Sequence, residues 1–306
     1  MLFYSQEEDV SYCDTRRKGM VRMAADNIKY KDRLFNFLFG SEENKAWTLS
    51  LYNAVNKSNY TDPSAIEITT IKEIMYLGMQ NDISFLISEE MNLYEQQSSY
   101  NPNMPLRLMQ YAGNLYEKYI KQTRQNKYGK KLMKLPAPRL VVFYNGTDEQ
   151  PEEKFLKLSD SFPEDAVSDI EVIVRMINVN HGKNKELMAA CKPLEEYSWL
   201  VAEVRKNNET RYEDGISSAI DRAITEMPDD YVIKPFLEAH RAEVKGMLLA
   251  EYNEAETMEL FKEDGRVEGR MEDIRNLMKK LKMTAEQAME ILDIPSSERS
   301  KYMTML

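Results

Sequence analysis

The sequence predicts an α/β fold in which strands and helices alternate first and helices alone follow. Short β-prone runs occur at residues 65–76, 79–87, 91–99, 139–146 and 169–179. Apolar residues recur at helical spacing in residues 31–57 and 101–121. From Glu186 onward the long stretches carry helical periodicity, so the carboxy-terminal region is expected to be helical.

Bulk composition excludes several classes of protein. The 306 residues suffice for one large domain or two modest ones, and the net charge of -10 argues against binding nucleic acid over the whole surface. The only two cysteines, Cys13 and Cys191, lie far apart without metal-ligand spacing, which favours a reducing compartment. The chain shows no signal peptide, no apolar run long enough for a membrane helix and no P-loop motif. We expect a cytoplasmic protein without membrane or nucleotide-cofactor contacts.

Three regions are expected along the chain. Residues 1–29 form an amino-terminal arm whose Arg16-Arg17-Lys18 cluster belongs to a solvated tail or contacts nucleic-acid phosphate. Residues 30–205 form the main domain. Residues 206–306 form a helical region with a Glu-rich helix or linker at 251–273 and a small terminal helical hairpin. That hairpin starts at a capping box, Thr284 to Gln287, with Ser296 or Ser297 as a second cap, and it serves DNA contact, oligomerisation or packing.

Two helical segments carry boundary signals. In residues 31–57, Gly40 is expected to break the helix and Ser41 to cap the second part. In residues 101–121, Asn103 is the expected cap and Pro105 fits the first turn. The second helix has two stripes. Its apolar stripe contains Leu108, Ala112, Leu115 and Tyr119, and its polar, basic stripe contains Arg107, Tyr111, Asn114, Lys118 and Lys121.

A β-hairpin at residues 79–99 carries the candidate chemistry. A two-residue turn at Glu89-Glu90 would place Asp82 opposite Gln97 and Ser84 opposite Glu95. Asp82, Glu95 and Gln97 would then project from one side of the sheet, whereas a slip of one residue would separate them.

Two carboxylates on one sheet face provide the oxygen ligands that Mg²⁺ prefers, with Mn²⁺ able to substitute. Gln97 lies two residues beyond Glu95, where it can orient water or phosphate by hydrogen bonds alone. The alternative is a cross-strand polar pair on a solvated face. Glu42, Glu43 and Glu67 are open candidates for a third ligand, and we do not choose among them.

A basic segment follows the hairpin. Between Lys118 and Arg139 there are eight basic residues and no acidic one, including Lys121, Lys130 and Lys131. In an acidic chain this is either a phosphate-facing surface or a solvated helix end and loop.

Other reactive side chains are assigned structural roles. His181 follows a strand in a turn, and His240 is expected to be solvated or to cap a helix. Two histidines cannot build a His-rich zinc site. Cys191 has no nearby base in the sequence and is expected to be a packed thiol.

An ordered set of stretches over roughly residues 30–275 resembles a known family. The stretches are KDRLFNFLFGSEENK, NDISFLI, MNLYEQQSSYNPNMPLR, LPAPRLVVFYNG, INVNHGKNKELMAACKPLEEYSWLVAEVR and HRAEVKGMLLAEY. They resemble the PD-(D/E)XK nuclease superfamily and, more narrowly, the Rpn family of recombination-promoting nucleases and putative transposases. The resemblance implies a restriction-endonuclease-like central mixed sheet flanked by helices, with a helical carboxy-terminal region.

The resemblance also implies metal-dependent DNA cleavage. Asp82, Glu95 and Gln97 fall on the family's Asp and Glu-x-Gln positions, and Arg107 and Tyr111 match its Arg and Tyr on the following helix. Gln97 replaces the superfamily's lysine. We therefore expect a Mg²⁺-dependent DNA endonuclease acting in recombination, transposition or defence against foreign DNA, and a homodimer if it cuts both strands.

Two other hypotheses stay open. The acidic net charge and the missing lysine are compatible with a nuclease-fold protein that binds DNA or a partner without cutting. The third hypothesis is a structural oligomer held together by the carboxy-terminal helices.

Overall fold

The computed structural model describes residues 33–70, 82–210 and 215–306, except for the side chains of residues 254–262 and 264. The chain divides into two compact units, one ending at Glu251 and one running from Tyr252 to Leu306. The sequence placed a boundary at 205/206, whereas the structure keeps the helices between there and Glu251 in the first unit. The predicted arm, residues 1–29, and the end of the predicted strand 65–76 lie outside the described residues.

The strands of the first unit form one mixed sheet. They are β1 Glu67–Ile68, β2 Ile83–Ile87, β3 Glu90–Gln97, β4 Ala137–Tyr144, β5 Glu153–Lys157 and β6 Ile173–Asn178. Their order across the six-stranded sheet is β1-β2-β3-β4-β6-β5. β3, β4 and β6 run parallel to one another, while the other neighbouring pairs are antiparallel. The α/β class with a mixed sheet is thereby confirmed.

Helices flank the sheet and continue after it. Those of the first unit are α1 Leu34–Phe39, α2 Lys45–Asn56, α3 Met104–Gln122, α4 Lys185–Ala190, α5 Lys192–Thr210, α6 Gly215–Glu226, α7 Lys234–Ala239 and the start of α8 Arg241–Leu281. The second unit contains the rest of α8, α9 Ala285–Ile291 and α10 Ser296–Met303. Short 3₁₀ turns occur at Pro63–Ala65 and Leu158–Ser161. None of the helices described is both long and apolar enough to span a bilayer.

Residue alternation along β3 decides which helix packs on which face of the sheet. Met91 and Leu93 belong to the apolar cluster that includes Leu108 of α3. Tyr94, on the opposite face, meets an aromatic layer in which the Phe35 and Phe143 ring centroids lie 5.1 Å apart. The sheet is therefore covered by α3 on one face and by α1 and α2 on the other.

The hairpin register differs from the predicted one by two residues. Ile87 pairs with Glu90, so the turn consists of Ser88 and Glu89, and Ser84 lies opposite Leu93. The predicted turn at Glu89-Glu90 was wrong because Glu90 is held in β3: its carboxylate accepts hydrogen bonds from Tyr52 Oη at 2.9 Å and Arg139 Nε at 2.8 Å. A shift of two residues preserves the side-chain parity of the paired residues, so Glu95 and Gln97 keep a common face.

The helix boundaries bring a confirmation and two corrections. Gly40 separates α1 from α2, as expected, but Ser41 is not the cap. Its hydroxyl accepts from the Asn44 N–H, and α2 begins only after Asn44, because residues 41–44 form the turn between the two helices. Tyr111 was assigned to the polar stripe of α3, but it is buried at 4% exposure against the sheet, since it lies three residues beyond Leu108 on the same helix face.

One strand was missed and another is shorter than predicted. β5 lies between the predicted strands 139–146 and 169–179, where the sequence analysis expects no strand. Its five residues carry little β signal of their own, and pairing with β6 fixes their conformation. β6 begins at Ile173 rather than at residue 169. The Asn145-Gly146 dipeptide, which is typical of a turn, does not form one, because the Asn145 N–H donates to the Gln97 carbonyl at 3.0 Å and extends the pairing of β4 with β3.

The second unit has its own apolar core. Met271 and Ile274 of α8 pack with Ala288 and Met289 of α9 and Tyr302 of α10. The capping box at Thr284 is confirmed, because its hydroxyl accepts from the Gln287 N–H while Gln287 Oε1 accepts from the Thr284 N–H. α10 begins at Ser296 directly after Pro295, so neither Ser296 nor Ser297 is its cap. The Glu-rich segment 251–273 lies within α8 and is helical.

Candidate active site

Polar residues are concentrated at the end of the sheet where the parallel strands β3, β4 and β6 reach their carboxyl termini. Parallel strands present their carboxyl ends at the same edge, which is where α/β proteins commonly bind ligands. The side chains of Glu95, Gln96, Gln97, Asn145 and Asn178 are all buried there. Burial of five polar side chains at one edge marks it as the candidate site.

Asp82 and Glu95 meet at this edge. The Asp82 N–H donates a hydrogen bond to the side-chain Oε2 of Glu95 at 3.3 Å. Asp82 directly precedes Ile83, the first paired residue of β2, whose partner is Tyr94, so Asp82 lies next to Glu95 and the predicted pairing with Gln97 is not formed. Asp82 Oδ2 accepts from the Gln96 N–H at 2.7 Å, and its Oδ1 accepts from Asn36 Nδ2 at 3.4 Å. These contacts hold Asp82 beside Glu95 at the end of β3.

Burial raises the pKa of both carboxyl groups, and the charge of Asp82 adds to the effect on Glu95. Burial, and then the charge of Asp82, raise the pKa of Glu95 to about 8. Burial likewise raises the pKa of Asp82, against the opposing charges of Arg33 and Arg107. Ionising both carboxyl groups would place two negative charges close together at a high cost in free energy. Without a bound cation the pair therefore retains a proton near neutral pH.

Arg107 supplies the nearest cation from the first turns of α3. Its Nη2 donates to Glu95 Oε1 at 2.9 Å and to Tyr111 Oη at 3.2 Å. The helix starts after Asn103 with Pro105 in its first turn, as predicted, which sets the position of the arginine. Arg107 thus neutralises part of the charge of Glu95, and Tyr111 orients its guanidinium.

Gln97 lies on the same face as Glu95, two residues further along β3, and is 8% exposed. Its Nε2 lies 2.7 Å from Met104 Sδ at the start of α3. The amide is therefore beside the carboxylate pair and makes no hydrogen bond to either carboxylate among the contacts that the structure describes.

The predicted DNA-contacting lysines lie elsewhere. Lys118 donates to the Thr69 carbonyl at 2.8 Å. Lys121 is in the last turn of α3, and Lys130 and Lys131 are exposed in the segment before β4. At about 1.5 Å per residue, Lys121 is about 21 Å from Arg107 along the helix. The structure brings Arg107 and Tyr111 to the carboxylates but not these lysines.

Comparison of the whole chain with known proteins gives no match. No protein-family model, curated protein or solved structure matches it. A functional assignment therefore depends on the contacts at the strand ends.

A buried hydrogen-bond chain beneath the pair was missed by the sequence analysis. Arg33 Nη1 donates to the Gln96 carbonyl at 2.7 Å and to Gln96 Oε1 at 2.9 Å. Gln96 Nε2 then donates to Asn145 Oδ1 at 2.6 Å, and Asn145 Nδ2 donates to Tyr197 Oη at 2.9 Å. The sequence analysis gave no role to Gln96, the middle residue of Glu-x-Gln, or to Asn145. The signal available was the proximity of both to the ends of predicted strands.

The other candidate ligands do not join the pair. Within the described ranges, no three His, Cys, Asp or Glu side chains are grouped closely enough to hold a metal ion. Glu42, Glu43 and Glu67 thus do not complete a third carboxylate position. His240 caps α7, with its ring centroid 4.6 Å from that of Phe236, and His181 is exposed in its turn.

Cys191 is a packed thiol, as expected. It is fully buried at the end of α4. Burial raises its pKa to about 11, so the thiol stays protonated and unreactive near neutral pH.

Proposed function

We propose that this protein is a metal-dependent DNA endonuclease that hydrolyses phosphodiester bonds, with Asp82 and Glu95 as ligands of Mg²⁺. The observation that carries the proposal is the contact between Glu95, buried at the end of β3, and Asp82, which is half-buried directly before β2. The resemblance to the PD-(D/E)XK superfamily and its Rpn branch supports the same residues. It also supports a role in recombination, transposition or defence against foreign DNA.

The residues present fit a magnesium ion. Mg²⁺ keeps several waters and is usually bound through one or two carboxylates together with substrate phosphate, so the absence of a third carboxylate is no obstacle. Burial raises the pKa of both Asp82 and Glu95, the charge of Asp82 raises that of Glu95 further, and a bound divalent cation would favour the ionised form of both. When bound, the ion would supply an acidic water and polarise a phosphodiester oxygen.

The chain's own side chains have distinct roles in this proposal. Gln97, beside Glu95, orients water or phosphate with an amide that can both donate and accept hydrogen bonds. Arg107 fixes one oxygen of Glu95 and leaves Oε2 directed toward Asp82. These are positioning and binding roles, since a lysine charge is absent from position 97.

Duplex DNA is long enough to reach both the carboxylates and the basic segment. The 21 Å or so between Arg107 and Lys121 along α3 corresponds to about six base pairs at about 3.4 Å each. Lys127 and Arg139 of this segment already pair with Glu117 and Glu90. The exposed Lys121, Lys130 and Lys131 are thus the residues proposed to contact phosphate, with weak sequence preference because such contacts carry no base information.

Plasmid nicking in Mg²⁺ or Mn²⁺ tests the proposal. The isosteric substitutions Asp82→Asn and Glu95→Gln are expected to abolish cleavage, whereas Glu89→Gln, an exposed glutamate in the turn of the same hairpin, should leave it unchanged. Cleavage that persists at the wild-type rate in both site variants would contradict the assignment.

A second candidate function is DNA or partner binding by a nuclease-like site that does not cut. The observation that favours it is the engagement of Glu95 Oε1 by Arg107 and of Gln97 by Met104, in a chain without the superfamily's lysine. DNA binding that falls steeply with salt, without a metal-dependent product, would favour this function over the first.

A further inference from the structure

β5 is an outer strand of the sheet with an accessible edge. It pairs only with β6 in the six-stranded sheet. At one end of the pair the Asn178 N–H donates to the Glu152 carbonyl at 2.8 Å. At the other end the Leu158 N–H donates to the Val172 carbonyl at 2.9 Å. Antiparallel ladders alternate, so even-numbered residues bond to β6. Glu153, Phe155 and Lys157 therefore direct their backbone N–H and C=O groups away from the sheet.

The side chains of the same three residues are exposed. Phe155 is 53% exposed, and Ile173, on the same face of β6, is 51% exposed. Glu153 and Lys157 flank Phe155 on that face with opposite charges, and Glu153 Oε2 also accepts a hydrogen bond from Arg175 Nη2 at 2.8 Å. Among the contacts that the structure describes, the outward backbone groups of Glu153, Phe155 and Lys157 have no partner, so this edge is open to pairing with another strand.

We propose that β5 is a dimer interface at which β5 of a second copy pairs antiparallel about a two-fold axis at Phe155. In this register Phe155 meets Phe155 of the second copy, and Glu153 lies opposite Lys157 of the second copy. The outward N–H and C=O groups of all three residues are satisfied. The two sheets become one continuous sheet.

Self-complementarity argues for a second copy rather than an unrelated strand. A two-fold interface requires one surface patch to match itself, and the sequence EKFLK does so about its central residue. Shifting the register by two residues in either direction places Phe155 opposite Glu153 or Lys157 of the other copy. The proposed register alone matches apolar with apolar and acid with base while keeping the outward backbone groups paired.

The interface is independent of the proposed nuclease activity. The two-fold axis of an antiparallel strand pair is perpendicular to the sheet, so the carboxylate pairs of the two copies lie at opposite edges of the joined sheet. This dimer therefore holds two separate sites and does not align them on opposite strands of one short duplex.

Disulfide trapping tests the register directly. In the full chain carrying Cys13→Ser, Phe155→Cys places two thiols at the two-fold axis, where hydrogen-bonded pairs have Cα atoms about 5.5 Å apart, within the range of a disulfide. Lys157→Cys is the matched control, since two copies of residue 157 lie about four residues apart along the strands. We expect the dimer to form at least about 10-fold faster with Phe155→Cys. Equal rates would overturn the register.

Sedimentation tests the contact in solution. The wild type is expected to move from 35.8 kDa to twice that mass as concentration rises. Lys157→Glu places like charges opposite each other twice and should raise the dissociation constant at least about 10-fold, whereas Glu89→Lys, which reverses an exposed charge in the β2–β3 turn, should not change it. Circular dichroism checks that both variants fold. A wild type that stays monomeric overturns the proposal, even if its β5 edge binds an added peptide strand. An unchanged dissociation constant in Lys157→Glu overturns it as well.

Discussion

The N–H of Asp82 donates a hydrogen bond to Glu95 Oε2 at 3.3 Å, and this contact ties the start of β2 to the end of β3. It also places two carboxyl groups in one partly desolvated site. Burial and like charge both favour the protonated form of these carboxyl groups, whereas a divalent cation favours their ionised form. Folding, protonation and metal binding are therefore coupled at this pair.

The first prediction concerns pH and stability without metal. The folded-state pKa of Glu95, about 8, exceeds its ordinary value of 4.5, so the folded chain binds more protons than the unfolded chain between these values. The contribution of the protonated Glu95 carboxyl to the free energy of unfolding is complete below about pH 4.5 and is lost as pH rises through about 8. In EDTA, the free energy of unfolding of the wild type should therefore fall over this range relative to Glu95→Gln, by about 1.4 kcal/mol per unit of pKa shift.

Chemical denaturation at several pH values measures this difference, and Glu89→Gln is the control. Saturating Mg²⁺ should reduce the loss at high pH, because the ion stabilises the ionised pair. A constant difference between wild type and Glu95→Gln from pH 5 to 8.5 would contradict the coupling.

The second prediction concerns Arg107 as a positioning residue. The charge of Arg107 lowers the pKa of Glu95, so Arg107→Gln should raise it further. The pH profile of DNA cleavage is then expected to move up by about one pH unit, with about 10-fold slower cleavage at pH 7. Arg107→Lys keeps the charge and should restore the profile in part, although it cannot contact Glu95 and Tyr111 with one planar group.

Tyr111→Phe separates orientation from charge. It keeps the buried ring and removes the hydroxyl that accepts from Arg107 Nη2. We expect a smaller loss of rate with no movement of the pH profile. An unmoved profile in Arg107→Gln would show that the arginine does not act through Glu95.

The spacing of Glu95 and Gln97 predicted part of the site correctly. The two residues are two apart on β3, so they share a face of the sheet whatever the register of the hairpin. Asp82 lies before the paired residues of β2, and its carboxylate is held by Asn36 of α1 and the Gln96 N–H. The exact partner of Asp82 depended on the turn, and the turn depended on Tyr52 and Arg139, which are distant in sequence. Local propensity contains no information about such contacts.

Tertiary contacts also explain the other errors. β5 forms because β6 supplies a partner, and its own sequence is no more β-prone than a loop. Tyr111 was misplaced although its helix was predicted correctly, because the buried stripe of that helix is wider than the sequence analysis assumed. Arg33 joins the site through the carbonyl and side chain of Gln96, a contact across 63 residues that no spacing rule predicts.

The third prediction concerns DNA affinity. Each of Lys121→Ala, Lys130→Ala and Lys131→Ala should weaken binding of duplexes of any sequence and reduce the slope of log affinity against log salt by about one. Fluorescence anisotropy in the Asp82→Asn background measures binding without cleavage. Lys185→Ala removes an exposed lysine on the other side of the sheet and is expected to leave the slope unchanged. Equal slopes in all four variants would exclude the basic segment as the phosphate contact.

The fourth prediction concerns Gly146, at the end of β4 beside the site. A Cβ at this position would meet the Ser98 carbonyl oxygen and the Tyr144 ring, and Cε2 of that ring would be only 2.7 Å away. The Gly146 carbonyl also accepts from Asn180 Nδ2 at 2.9 Å, so the backbone has little room to move. Gly146→Ala should therefore lower the free energy of unfolding by about 1–3 kcal/mol, the usual cost of overpacking.

Gly113→Ala is the matched control for this change. Gly113 is exposed in the middle of α3, and a Cβ there meets nothing within 4 Å. Because alanine favours the helix over glycine, this substitution should raise the free energy of unfolding by about 0.5–1 kcal/mol. Urea denaturation of both variants measures the two changes in the free energy of unfolding, which should have opposite signs. A Gly146→Ala variant as stable as the wild type would show that the strand end can move away from Ser98, and the carboxylate pair that depends on that edge would then be less rigid than its contacts indicate.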